Sequence, residues 1–174
     1  MAKEIPVYLF VGFLESGKTS FLSFTLQQDY FQIDGKTLLI LCEEGEEEYD
    51  EAALKANNTV VEIIENKEDF TTERLVAMDI LHQPERVIIE YNGMWNLQDL
   101  LMIRYPRNWE LQGVYSTVNG TTLDMYLTNM RNLLMEQLTE SELIVVNRCD
   151  RKMDRSGFRS CLLYTSDAAD DLIG

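Results

Sequence analysis

Residues 12–19 read Gly-Phe-Leu-Glu-Ser-Gly-Lys-Thr, which meets the pattern G-x-x-x-x-G-K-S/T at every position. No other stretch restricts the fold so sharply. Two glycines at this spacing bare the backbone, so that successive N–H groups can point inward at a polyphosphate. The apolar run Ile5–Val11 before it predicts a strand, and Phe21, Leu22, Phe24, Thr25 and Leu26 predict a helix over 18–30. Such a helix adds its own N-terminal N–H groups and the positive end of its dipole. Gly12, Glu15, Ser16, Gly17, Lys18, Thr19 and Ser20 are therefore candidate phosphate-binding residues. Lys18 would reach the outer phosphates as a point charge, and the Thr19 hydroxyl would ligate Mg2+.

The rest of the chain continues the alternation. Lys36–Cys42 predicts a buried strand, and Glu43–Ala56 an acidic loop passing into a helix. Asn58–Ile64 predicts a strand. Thr71 or Thr72 caps a helix that runs to His82 and is stopped by Pro84. Arg86–Glu90, Leu111–Gly120 and Glu142–Asn147 predict further strands, with one long helix over 121–139. Strands alternating with helices imply an α/β domain, the three-layer sandwich of P-loop NTPases with a mostly parallel sheet covered on both faces.

Composition excludes several functions. A net charge of −15 offers no basic face for nucleic acid, and it disfavours an anionic membrane surface. No run of eighteen apolar residues is present to span a bilayer. Cys42, Cys149 and Cys161 are odd in number and form no C-x-x-C, which implies a reducing cytosol. The closing stretch CLLYTSDAADD, Cys161 to Asp171, resembles the conceptual translation of a transposase adapter used in sequencing libraries. On that reading residues 1–160 are the nucleotide-binding domain, incomplete at its C-terminus, and 161–174 are a non-native tail.

Two further segments carry chemistry. In VVNRCD, Asn147 and Asp150 follow a buried apolar strand, at the sheet edge where such folds bind ligands. A carboxylate there can accept from guanine N1–H and the 2-amino group together, a donor pair that adenine lacks. Arg148 can lay its stem and planar head over the base. In RVIIEYNG, Glu90 ends an apolar strand and would stand near Mg2+, directly or through water. Gly93 can offer its N–H to a γ-phosphate and move when that phosphate leaves.

With these pieces, residues Val7 to Asp150 resemble the nucleotide-binding domain of CobW-type GTPases, the group that includes HypB- and UreG-like metal-insertion proteins. GFLESGKTS is similar to that family's phosphate loop. LCEEGEEEYD is similar to its acidic switch segment, with Glu43, Gly45, Glu46 and Asp50 on acidic or glycine positions. IIEYNG resembles its second carboxylate segment. VVNRCD resembles its guanine motif, with arginine where lysine is usual. The resemblance implies a GTP-dependent switch, using GTP and Mg2+, that assists metal delivery or cofactor assembly. Its usual Cys-x-Cys-Cys motif has no counterpart in VVEIIENKEDFTTERL, which lacks cysteine altogether. The family's usual C-terminal domain has no counterpart among these residues, as truncation would leave it.

Hydrolysis needs a positioned water, and Glu43 or Glu46 could orient it; with no evident base, slow turnover is expected unless a partner completes the site. Two alternatives stand beside this reading. One is a regulatory nucleotide-binding module with negligible hydrolysis and no metal cargo, the other an ATP-using P-loop enzyme. His82 reads as a helix C-terminal residue favouring the dipole. The stripe Met94, Trp95, Leu101, Met102, Tyr105 and Trp109 reads as core packing or as the surface for a client or a second copy. Leu123, Tyr126, Leu127, Met130, Leu133 and Leu134 read as core cover.

Overall fold

The computed structural model describes residues 3–43, 45 and 48–149. Six parallel strands form its sheet: β1 (Ile5–Val11), β2 (Thr37–Leu41), β3 (Thr59–Ile63), β4 (Arg86–Glu90), β5 (Trp109–Asn119) and β6 (Leu143–Asn147), in the order β3-β2-β4-β1-β5-β6. Strands buried on both faces favour apolar residues at successive positions, which is why LLIL of β2 and VII of β4 read as unbroken runs, while the buried Thr37, Arg86 and Glu90 stand at the strand ends.

The two faces of the central strands feed separate cores. Val7, Leu9, Leu38, Ile40, Val87 and Ile89 point to the face covered by α3 (Thr72–His82) and α4 (Leu97–Met102), through Leu75, Met78, Leu97 and Leu100. Phe10, Leu39 and Ile88 point the other way, beneath α1 (Lys18–Leu26) and α2 (Glu51–Ala56), through Leu22, Leu26 and Leu54. The result is the expected three-layer α/β sandwich. Its sheet is parallel throughout the described residues.

Two expectations need correction, and the open reading of one stripe can be placed. The first helix ends at Leu26, and Asp29–Phe31 form a separate 3-10 turn. That turn swings Phe31 back over the sheet, where its ring meets Tyr8 and lies 4.2 Å from the buried Arg86 guanidinium. The helix expected over 121–139 is two, α5 (Leu123–Asn129) and α6 (Arg131–Thr139), broken at Met130 with φ −135°. Each half has its own target: Tyr126 of α5 stacks on Phe13 beneath the glycine loop, while Ser141 and Gln137 at the end of α6 bond Ser116 of β5. A straight helix could not meet both. Finally, the stripe 94–109 contains α4. Trp95, Leu101 and Tyr105 pack on the core and Trp109 is buried, whereas Met94 and Met102 face outward.

Because the strands are parallel, β1, β2, β4, β5 and β6 all end at one edge. The glycine loop leaves β1 at the middle of that edge. No helix among the described residues is long and apolar enough to cross a membrane.

Candidate functional site

The loop takes its shape from its glycines. Gly12 has φ +144° and Gly17 φ +94°, conformations that side chains disfavour. Space forbids a side chain as well. A Cβ on Gly12 would stand 2.4 Å from the Thr117 carbonyl, and one on Gly17 would stand 2.2 Å from Asn147 Nδ2. Glu15 is also left-handed, at φ 60°. Its carbonyl accepts from Asn119 Nδ2 at 3.4 Å, so the end of β5 holds this turn of the loop.

Lys18, only 4% exposed, lies inside the loop it belongs to. Its Nζ donates to the Gly12 carbonyl at 2.7 Å and to the Phe13 carbonyl at 3.1 Å, and it pairs with Glu43 Oε2 at 2.8 Å. Glu43 arrives just past the end of β2, beside the loop. A buried ammonium needs such partners, since burying a charge without hydrogen-bonded counter-groups is costly.

Next to it, Thr19 Oγ1 donates to Glu90 Oε1 at 2.9 Å. Sheet register explains the meeting. Glu90 is aligned with Phe10 on β1 and Leu41 on β2, so the last residue of β4 faces the loop that leaves β1. Glu90 Oε2 accepts from the Tyr49 hydroxyl. Burial raises the Glu90 carboxyl above its ordinary range, and the Tyr49 bond, the Lys18 charge and the Thr19 bond oppose that rise. Burial also pushes the Tyr49 phenol up, and the neighbouring carboxylate adds to the shift.

A pocket over the loop is lined by Glu15, Gly17, Lys18, Thr19, Glu43, Glu90 and Arg148. Sequence positions as far apart as 15 and 148 thus meet on one concavity. The donor set is hard: a hydroxyl and a carboxylate side by side suit Mg2+, and the glycine cradle leaves backbone open to phosphate oxygens. The same surroundings do not suit a soft metal. Cys42 is 1% exposed and burial raises its thiol. Among the described residues no group of three or more histidine, cysteine, aspartate or glutamate side chains is placed to hold a metal ion.

Other candidates take different places. Ser16 turns inward: its Oγ lies 2.7 Å from Thr117 Oγ1, both buried, and its N–H donates to the Phe13 carbonyl. Ser20 is exposed in the first turn of α1. Gly93 backs onto the loop, where a Cβ would stand 2.1 Å from the Gly12 carbonyl, and its own carbonyl accepts from Gln137 Nε2. Asn147 packs its amide on Gly17 and accepts from the N–H of Arg148, itself left-handed at φ 51°. Glu46, Asp150 and the tail 161–174 lie outside the described residues. His82 bonds Glu62 at 2.7 Å, on α3, and lines no part of the pocket.

Sequence reasoning passed over Tyr49, Thr117 and Asn119. Only Tyr49 left a signal, as the one aromatic in an acidic run.

A family model described as CobW/HypB/UreG, nucleotide-binding domain, matches residues 6–168. Among solved structures the chain is similar to the Zn(II)-bound YjiA GTPase from E. coli, at 22% identity and a TM-score of 0.64, over 92% of this chain and 54% of that one. It is also similar to a Zn(II)-bound triple mutant of YjiA, at 23% identity and a TM-score of 0.58, over 83% of this chain and 49% of that one. The chain therefore spans about half the length of these structures, and at such identities the likeness is one of fold. No curated protein matches it. By the reach of the family match, and by the glycine loop and parallel sheet that underlie it, the chain belongs to the CobW/HypB/UreG family, of which it carries the nucleotide-binding domain.

Proposed function

We propose that the protein binds GTP with Mg2+, hydrolyses it slowly and acts as a switch in metal delivery or cofactor assembly. One observation carries this reading: Lys18, Thr19 and Glu90 converge at the mouth of a glycine loop, with Thr19 Oγ1 and Glu90 Oε1 2.9 Å apart. Thr19 and Glu90 would hold Mg2+, directly or through water. When bound, that ion neutralises charge on the phosphate oxygens. Lys18 supplies the cation for the outer phosphates, and the loop amides supply neutral donors.

The preference for guanine rests on Asn147, Arg148 and Asp150, and on the fold's likeness to a protein named a GTPase. Arg148 already lines the pocket rim. The metal-delivery role rests on the family and on the zinc bound by that neighbour. A metalloprotein client or a second copy of the chain would read the switch. A reducing cytosol suits the two described thiols, Cys42 and Cys149, which are both free.

One geometric fact favours a second reading, a regulatory module with negligible hydrolysis. Glu43, a candidate for orienting water, is engaged by Lys18. Single-turnover phosphate release separates the two readings. Calorimetric titration with GTP and with ATP, each with and without Mg2+, tests the main one. Tight Mg2+-dependent GTP binding, lost in Lys18→Ala, is expected. Equal affinity for ATP and GTP would remove the guanine assignment.

A further inference from the structure

The carboxylate assigned to Mg2+ has two oxygens, and only one faces Thr19. The other is occupied by the Tyr49 hydroxyl. Tyr49 is anchored twice over. It is the residue before the α2 N-cap Asp50, whose side chain accepts from Ala52 and Ala53 N–H. Its ring packs against the cluster of Phe10, Leu22, Leu39 and Ile88. Leu54, four residues into α2, is buried in the same cluster. Tyr49 and Leu54 thus occupy the positions of a hydrophobic staple, which fixes how the chain enters the helix. The ring is held by apolar packing, and its hydroxyl is delivered to a single acceptor.

We infer that Tyr49 is a positioning residue for the metal site: it fixes the Glu90 carboxylate so that Oε1 is presented beside Thr19. Glu90 is 4% exposed, so water cannot readily replace a lost donor on Oε2. A carboxylate with one oxygen pinned in a fixed direction loses little freedom when the other meets a cation. Outer partners of metal ligands commonly act this way, and their removal costs ten- to hundredfold in metal affinity. The phenol lies beside Thr19 too, so it constrains both members of the proposed pair. This inference rests on the magnesium reading of Thr19 and Glu90.

The test uses the full chain, a fluorescent guanine nucleotide and MgCl2. Wild type, Tyr49→Phe, Glu90→Gln and the double variant are titrated with nucleotide in EDTA, and then across Mg2+ concentration. Melting temperature is followed in parallel. Tyr49→Phe keeps the ring and the staple, so its EDTA affinity should stay within about twofold and its Mg2+ half-saturation should rise roughly ten- to hundredfold. In the Glu90→Gln background the same change should add nothing. A Tyr49→Phe protein with the Mg2+ response of wild type overturns the assignment, whether or not it melts lower. So does an equal loss of affinity in EDTA. A wild-type protein indifferent to Mg2+ overturns the magnesium reading itself, and it does so before any variant is compared.

Discussion

Lys18 Nζ and Glu43 Oε2 stand 2.8 Å apart, with side chains 4% and 11% exposed. The cation that would grip the outer phosphates is thus already matched by an anion from the segment after β2. A phosphate group and this carboxylate compete for one ammonium. Glu43→Gln should therefore lower stability without nucleotide, by about 2–3 kcal/mol, because a buried charge loses its partner. It should also raise nucleotide affinity several-fold. Thermal melts with and without GTP read both effects at once. Weaker nucleotide binding in this variant would place Glu43 on the side of the ligand instead.

The loop is also held from behind. Ser16 Oγ and Thr117 Oγ1 are 2.7 Å apart and buried, joined across 101 residues of sequence. Thr117→Val keeps shape and removes the partner, leaving a buried hydroxyl unpaired at a cost of about 1–3 kcal/mol. The loosened loop should bind nucleotide several-fold more weakly, with Mg2+ half-saturation unchanged. Calorimetry of the variant across Mg2+ concentration checks this. An unaltered affinity would mean the glycines alone hold the loop's shape.

What could be read in advance follows the range of the interactions. The phosphate loop is local: eight successive residues and the helix after them carry its chemistry. Strands β2 and β4 announced themselves because burial on both faces favours successive apolar residues, here LLIL and VII. The break at Met130 did not, since the apolar periodicity runs straight through it and only separate packing partners bend the chain. Lys18, Thr19 and Glu90 were named from motifs, but the partners of those groups were not. Glu43 as a counter-ion, Tyr49 on Glu90 and Thr117 on Ser16 are contacts made by topology, between segments far apart in sequence, and no motif states which side chain will meet which.

Gly17 joins the two nucleotide-facing motifs. Its φ is +94°, and a Cβ there would stand 2.2 Å from Asn147 Nδ2. Gly17→Ala must therefore strain the loop or expel Asn147, at a cost of about 1–3 kcal/mol from backbone strain alone. Nucleotide affinity should fall at least tenfold. If Asn147 is what yields, the loss should be larger for GTP than for inorganic triphosphate, since only GTP reaches the base motif. Competition titrations with the two ligands separate these cases. Retention of full GTP affinity would mean that the two motifs are not coupled through Gly17.

Base choice offers the last prediction. Arg148 lines the pocket and Asn147 leans on Gly17, and in the sequence Asp150 follows two residues after Arg148. A carboxylate accepting from two guanine donors gains from both bonds, whereas opposite adenine it is left unpaired. Asp150→Ala removes both the gain and the penalty. GTP should bind roughly ten- to hundredfold more weakly, on the scale of one or two charge-assisted hydrogen bonds. ATP should bind as well as before or slightly better, so the ratio of the two affinities is the quantity to measure. A fall shared equally by GTP and ATP would mean that Asp150 supports the loop and does not read the base, and the preference for guanine would then need another source.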